Sequence, residues 1–181
     1  MKPSMENLAG LKVMGFDVDG VLTDGTLYFS SQGDEIKAFS SLDGHGIKML
    51  QRAGVEVIII SGRRSKALEL RAQNLGITEL HMGVEDKRAL MAGLLEARGL
   101  RFDRAGYMGD DVVDLPVLRA CGFSATVADG HTEVQSRVSY VASKGGGRGA
   151  VREVCDLIIR TQGKWDSLMQ DYLVVSEIAA P

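Results

Sequence analysis

The chain has 181 residues, 45% of them apolar, enough for one domain of ordinary size with a full core. Its 21 Lys and Arg against 24 Asp and Glu leave a net charge of −3, so no basic excess argues for a nucleic-acid partner. No run nears the ~18 apolar residues of a transmembrane helix, and the opening MKPSMENLAG lacks the apolar stretch of a secretion signal, so no membrane partner and a cytoplasmic setting are expected.

The first predicted strand, Leu11–Phe16, runs into FDVDGVLTDG. Asp17 and Asp19 thus stand where a buried strand emerges. Taking two like charges out of water costs on the order of several kcal/mol unless something neutralises them. Either the segment is a solvated turn, or a cation and a reaction belong here. TLYFSSQGDEIKAF follows, two strand-like runs around SQGDE, which predicts a β-hairpin flap over residues 26–39. A helix is predicted over Gly46–Ala53, with Gly54 as its left-handed cap. The next strand, Val55–Ile60, reads VEVIII, nearly unbroken β-branched residues, as in a parallel strand covered on both faces. It ends in Ser61, within IISGRR.

The alternation continues with a helix over Lys66–Leu75 before Gly76, a strand over Glu79–Met82, and a helix over Lys87–Arg98 before Gly99. A strand over Ala105–Met108 ends in GDDVVD, which carries Asp110, Asp111 and Asp114. A helix over Val112–Ala120, a strand over Phe123–Val127, a short helix over Glu133–Ser136 and a strand over Tyr140–Ala142 lead to SKGGGRGAV. The last predicted helix is Ala150–Thr161. Cys121 and Cys155 fall in apolar helical patterns and are expected as buried free thiols of a reducing compartment. Strand–helix alternation makes this a doubly wound parallel α/β domain over residues 1–181, with a C-terminal tail from 145 to 181. Gly25 to Ser61 holds only the hairpin and one helix. Lys87 to Asp110 holds one helix and one strand. Neither interval leaves room for a large cap domain.

In open α/β sheets ligands bind at the carboxyl ends of the strands. Asp17 and Asp19, Ser61, Lys87, and the acids of GDDVVD all fall at that rim, from four separate segments. Other site types fit less well. A calcium loop starting at Asp17 would need an oxygen ligand, Gly and Glu where the chain has Val21, Leu22 and Tyr28. There is no GxxxxGK[ST] phosphate loop. Gly145, Gly147 and Ala150 match GxGxxA, but too little chain follows for a dinucleotide-binding unit. His45, His81 and His131 lack metal-ligand spacing, and His45 suits a polar loop or helix start. A receiver-like phosphoacceptor module would also use acids, a hydroxyl and a lysine. It would need its phosphoacceptor Asp at the end of a central strand, with adjacent rather than DxD-spaced acids before it.

These segments resemble the haloacid dehalogenase (HAD) superfamily of phosphotransferases. DVDGV matches its first motif, hhhhDxDGx; Ser61 matches the second, Lys87 the third and GDDVVD the fourth. Over nearly the whole chain, DVDGVLTDG, EIKAFSSLDGHGI, ISGRRS, GDDVVDLPVL and GGGRGAVREVCDLI resemble the 3-deoxy-D-manno-octulosonate 8-phosphate (KDO 8-phosphate) phosphatases. Sialic-acid-type 9-phosphate phosphatases are close to these. The family's aromatic or aliphatic residue in DGxGI is His45 here, a departure that bears on substrate shape.

The resemblance implies a HAD-like Rossmannoid fold and a Mg²⁺-dependent phosphatase acting on KDO 8-phosphate in lipopolysaccharide precursor synthesis. A nine-carbon sugar acid 9-phosphate of sialic acid or KDN type is the alternative substrate. Asp17 would be the nucleophile, forming an aspartyl-phosphate. Asp19 would be general acid and base, its pKa raised by a second carboxylate and partial burial. The Asp17 carboxylate, the Asp19 backbone carbonyl and Asp110 would hold Mg²⁺. Asp111 and Asp114 would support that shell or cap the following helix. Ser61 would bond the phosphoryl group or cap its strand end. Lys87 would neutralise phosphate charge and orient Asp17. Arg63 and Arg71 are favoured for substrate binding, since guanidinium suits phosphate and carboxylate alike. Arg64 suits a solvated helix start, and Arg148 stays open between the two roles.

An uncapped site admits water, and the resemblance implies a homotetramer whose active sites are completed by neighbouring subunits, with an unselective monomer as the alternative. Gly145 to Gly149 would lead the C-terminal segment towards an adjacent subunit. The helix Ala150–Thr161 would anchor through Val151, Val154, Leu157 and Ile158. Trp165 to Pro181 would pack on a neighbour or stay free.

Overall fold

The structure, a computed structural model, describes residues 4–173. Six parallel strands form one sheet: β1 (Val13–Phe16), β4 (Glu56–Ser61), β5 (Glu79–Met82), β6 (Ala105–Met108), β7 (Phe123–Thr126) and β8 (Tyr140–Val141). Their order is β5-β4-β1-β6-β7-β8, so β1 lies centrally between β4 and β6. The chain leaves β1 in one direction to reach β4 and β5 and crosses to the other side for β6, β7 and β8. Loops after β1 and β6 therefore face each other at the carboxyl edge, where such sheets bind ligands.

The unbroken apolar run of β4 is explained by cover on both faces. Val57 and Ile59 join a core with helices α1 (Ser41–Arg52), α2 (Lys66–Leu75) and α6 (Ala150–Thr161). Ile58 and Ile60 join a second core with Val13, Tyr107, and helices α3 (Lys87–Glu96) and α4 (Leu115–Ala120). Cys121 and Cys155 are free and buried, one in each core. Among the described residues no helix is long and apolar enough to cross a membrane.

Two elements differ from the sequence expectation. α1 begins at Ser41, five residues before Gly46, because the Ser40 side chain caps it by accepting from the Asp43 amide at 3.3 Å. Gly44 and Gly46 are inside this helix, where neighbours leave no room for a side chain. A Cβ on Gly46 would lie 3.0 Å from the Arg152 Cα of α6. His45 is thus helical, not in a loop or near a strand end. The predicted helix Val112–Ala120 splits into a 3₁₀ turn over Val112–Asp114 and α4, with Pro116 in the first turn of α4. A short helix α5 (Thr132–Gln135) precedes β8. The hairpin forms as expected from β2 (Tyr28–Phe29) and β3 (Glu35–Ile36), closed by Gly33 at φ +90°.

Candidate active site

The loop after β1 starts in register with the sheet, the Asp17 amide donating to the Met108 carbonyl at 2.9 Å. The Asp17 carboxylate therefore sits at the floor of the rim. Lys87, first residue of α3, places its ammonium 2.8 Å from Asp17 Oδ1 and 2.7 Å from Asp114 Oδ1. Asp114 is wholly buried, and its other oxygen accepts from the amides of Asp110 at 3.2 Å and Asp111 at 3.4 Å. Asp114 thus fixes both Lys87 and the loop that carries Asp110. Asp111 caps the 3₁₀ turn, accepting from the Val112 amide at 2.7 Å.

Carboxylate oxygens of Asp17, Asp110 and Asp114 lie within 4.8 Å of one another. Burial and then the charge of Asp114 push Asp17 up to about 6, against the pull of Lys87. Burial, then Asp17 and Asp114, push Asp110 up to about 7. Burial disfavours the Lys87 cation, but the two carboxylates outweigh it and hold its pKa above the ordinary value. Three acids face one lysine, and Asp110 Oδ1 is buried without a hydrogen-bond partner. An oxygen-lined site short of positive charge fits a hard divalent cation. Asp17 and Asp110 would hold it, because Asp114 already spends both oxygens on Lys87 and the loop amides.

Asp19 faces the other way. Its Oδ1 pairs with the Lys37 ammonium, and its Oδ2 lies 3.7 Å from Arg63 Nε. Glu35 completes the ring, 3.1 Å from Lys37 and 2.7 Å from Arg63 Nη2. Hydrogen bonding from Arg63, with Lys37 adding, holds Glu35 down to about 2. Asp17, Asp19, Ser61, Arg63, Lys87 and Val113 border a cleft of about 400 Å³.

No family model matches the sequence. The KDO 8-phosphate phosphatase KdsC of Escherichia coli K12 is 44% identical over 156 residues, covering 86% of this chain and 83% of that protein. The crystal structure of the Yersinia pestis KDO 8-phosphate phosphatase superposes with a TM-score of 0.87 at 44% identity, covering 90% of this chain and 88% of that one. A Moraxella catarrhalis KDO 8-phosphate phosphatase, solved with magnesium ion, phosphate ion and KDO, superposes with a TM-score of 0.90 at 36% identity, covering 93% and 97%. The chain belongs to the KDO 8-phosphate phosphatase family of the HAD superfamily.

Within this KDO 8-phosphate phosphatase fold, Asp17, Asp19, Ser61, Lys87 and Asp110 converge as their positions at the strand ends imply. Ser61 is buried at the end of β4 and accepts from the Arg63 amide at 3.2 Å. Arg63 borders the cleft, but Arg71 does not. Arg71 donates to the Ser40 carbonyl at 2.9 Å and stacks 5.7 Å from the Phe39 ring, because α2 packs that face against α1. Asp19 is partly buried, as expected, but the carboxylate pairing expected beside it is found between Asp17 and Asp110 instead, and Asp19 meets two cations. Arg64 is exposed, and Arg148 is exposed beside Asp24 at 3.5 Å. His45 bonds the Tyr172 hydroxyl at 3.1 Å on the outer side of α1, away from the cleft.

The glycine segment also differs from expectation. Its backbone lies on the loop after β1 of its own chain. A Cβ on Gly146 would lie 2.0 Å from the Gly20 carbonyl oxygen, and the Gly147 amide donates to the Val21 carbonyl at 2.9 Å. Gly20 in turn has φ +87°, and a Cβ there would lie 2.1 Å from Asp110 Oδ2. The glycines are thus required by two successive close approaches, from tail to loop and from loop to acid. Helix α6 anchors through Val151, Val154 and Ile158, with Leu157 half-buried. The helix α7 (Trp165–Leu173) packs on its own chain through Leu168, with an Arg52–Asp171 ion pair. Residues 174–181 of the predicted tail lie outside the described residues.

Sequence reasoning missed Glu35, Lys37, Asp43 and Asp129. Asp43 is buried and accepts from the amides of Gly149 at 3.2 Å and Arg152 at 2.8 Å; Asp129 accepts from the Gly146 amide at 3.0 Å. For Glu35 and Lys37 a signal was present. They flank Ile36, so strand alternation puts both acid and base on one face.

Proposed function

We propose that the chain hydrolyses KDO 8-phosphate to KDO and inorganic phosphate, with Mg²⁺ as its cofactor, in lipopolysaccharide precursor synthesis in the cytoplasm. The observation that carries this reading is the buried, unpartnered Asp110 Oδ1 beside Asp17, at the floor of a cleft that also holds Lys87 and Ser61. Asp17 attacks phosphorus, forming an aspartyl-phosphate as the ester P–O bond breaks. Asp19 gives its proton to the departing sugar oxygen. It then takes one from the water that attacks the aspartyl-phosphate, releasing phosphate and restoring Asp17. Lys87 and Ser61 hold the phosphoryl oxygens, and Lys87 keeps Asp17 aimed. Asp17, the Asp19 backbone carbonyl and Asp110 would hold Mg²⁺, which would supply the positive charge that lets two anions meet. Asp114 and Asp111 position this loop rather than bind substrate.

Arg63, at the cleft edge, is assigned to the sugar-acid carboxylate. Arg71 is assigned to bracing the exit of the hairpin, given its bond to Ser40. A homotetramer with shared sites is supported by the hairpin, where Leu27, Tyr28, Phe29 and Ile36 are exposed apolar residues needing cover. Kinetics with Mg²⁺ over a panel of phosphorylated sugars tests the substrate. KDO 8-phosphate should exceed hexose phosphates and nine-carbon acid 9-phosphates by at least ~10-fold in kcat/KM. Equal rates across the panel would point to an unselective phosphatase, and preference for a 9-phosphate to the alternative substrate.

A further inference from the structure

We infer that Lys37 is a positioning residue for Asp19, joining the closure of the hairpin to the placement of the proton donor. The inference rests on the reading of Asp19 as general acid and adds to it a residue from outside the four motif segments. Lys37 follows β3 on a hairpin whose outer face is open; the cross-strand pair Tyr28 and Ile36 there is 47% and 59% exposed. Yet the Lys37 side chain is only 2% exposed. Burying an ammonium is unfavourable unless its charge is met, so this lysine is there for its partners. Those partners are Asp19 Oδ1 and Glu35 Oε1.

The division of the Asp19 oxygens matters. Oδ1 is held by Lys37, whereas Oδ2 has only the looser approach of Arg63 at 3.7 Å. Lys37 therefore fixes the rotation of the carboxylate and leaves Oδ2 for the substrate oxygen. Glu35 holds Lys37 from behind and is itself clamped by Arg63. With the hairpin lifted, Asp19 would lose its only side-chain hydrogen bond among the described residues and keep the longer approach of Arg63. Proton transfer in the site is thus tied to hairpin closure, when water is excluded.

Leaving-group dependence separates this role from a merely structural one. An alkoxide departing from KDO 8-phosphate needs its proton in the transition state. The phenolate departing from p-nitrophenyl phosphate is a weak base and needs it far less. Lys37→Met should lower kcat/KM on KDO 8-phosphate by ~10–100-fold, and on p-nitrophenyl phosphate by no more than about a tenth of that factor. Lys37→Arg should recover most of the loss, with thermal unfolding unchanged in both variants. Asp19→Asn in the same two assays should show the same asymmetry, more strongly. If Lys37→Met lowers both substrates equally, or neither, the positioning role is overturned while an asymmetric Asp19→Asn result keeps the general acid. If Asp19→Asn itself shows no asymmetry, the general-acid reading fails and the inference falls with it.

Discussion

The hairpin and the glycine segment approach the loop after β1 from two sides by opposite means. The hairpin brings side chains: Lys37 points inward to Asp19 with Glu35 behind it, while the cross-strand pair Tyr28 and Ile36 faces outward. The glycine segment brings none, and its backbone touches the Gly20 and Thr23 carbonyls. Charged contacts are long and re-formable, so an element that uses them can open and close. Backbone contacts at this range have no slack and set a fixed shape. The side of the loop that holds Asp17 over Asp110 is built as a rigid cradle. The side that holds Asp19 is built as a cover.

This contrast is broken most easily at Gly146. Gly146→Ala would drive a methyl against the Gly20 carbonyl, 2.0 Å away, and neither backbone can yield without moving the loop. We expect kcat to fall by ~10²-fold or more, since a displacement of about 1 Å at reacting groups can cost that much. Steady-state kinetics check it; wild-type kcat would show that the cradle does not hold the loop. The paired change Tyr28→Ser with Ile36→Ser acts on the cover's outer face. It should shift the assembly towards smaller species in light scattering and raise KM by roughly 10-fold, with a smaller effect on kcat.

The smallest expected effect is on unfolding. Asp17 and Asp110 have folded pKa values raised to about 6 and 7, so without metal the folded state binds more protons than the unfolded state between about pH 4 and 7. Their contribution is fully present below about pH 4 and is lost as pH rises through 6 and 7. Metal-free protein should therefore lose stability over this interval by calorimetry. Mg²⁺ should raise the midpoint by more at pH 7.5 than at pH 5.5, because the ligands must be ionised. The Mg²⁺ shift should survive the hairpin double variant and shrink in Gly146→Ala. An equal Mg²⁺ shift at both pH values would remove the acid site as its source.

Much of this site was legible in the sequence because the chemistry stands at strand ends. Asp17, Asp19, Ser61, Lys87 and Asp110 each follow a run whose burial fixes its direction, so one rule about the carboxyl edge gathers them. Residues placed by packing between elements were not legible. Arg71 shares the surroundings of Arg63 in sequence, but the α1–α2 contact turns it towards Ser40. Lys37 and Glu35 sit on or just beyond a two-residue strand, too short for alternation to stand out. Asp43 lies in a helical turn that Gly44 and Gly46 disguise, since glycine is a poor helix former; Gly44 is approached by Arg71 of α2 and Gly46 by α6. The glycine segment was legible as a backbone that must come close to something, but not as one that comes close to its own loop.

The central claim is that Asp17 forms the covalent bond to phosphorus, and rapid quenching tests it most directly. Wild-type protein with Mg²⁺ should be mixed with KDO 8-phosphate, stopped in acid within milliseconds, digested and examined by mass spectrometry. A phosphoryl group should be found on the peptide carrying Asp17, labile in alkali and absent from Asp17→Asn, which should also lack turnover. Full activity in Asp17→Asn, or a phosphoryl group found on another residue, would contradict it.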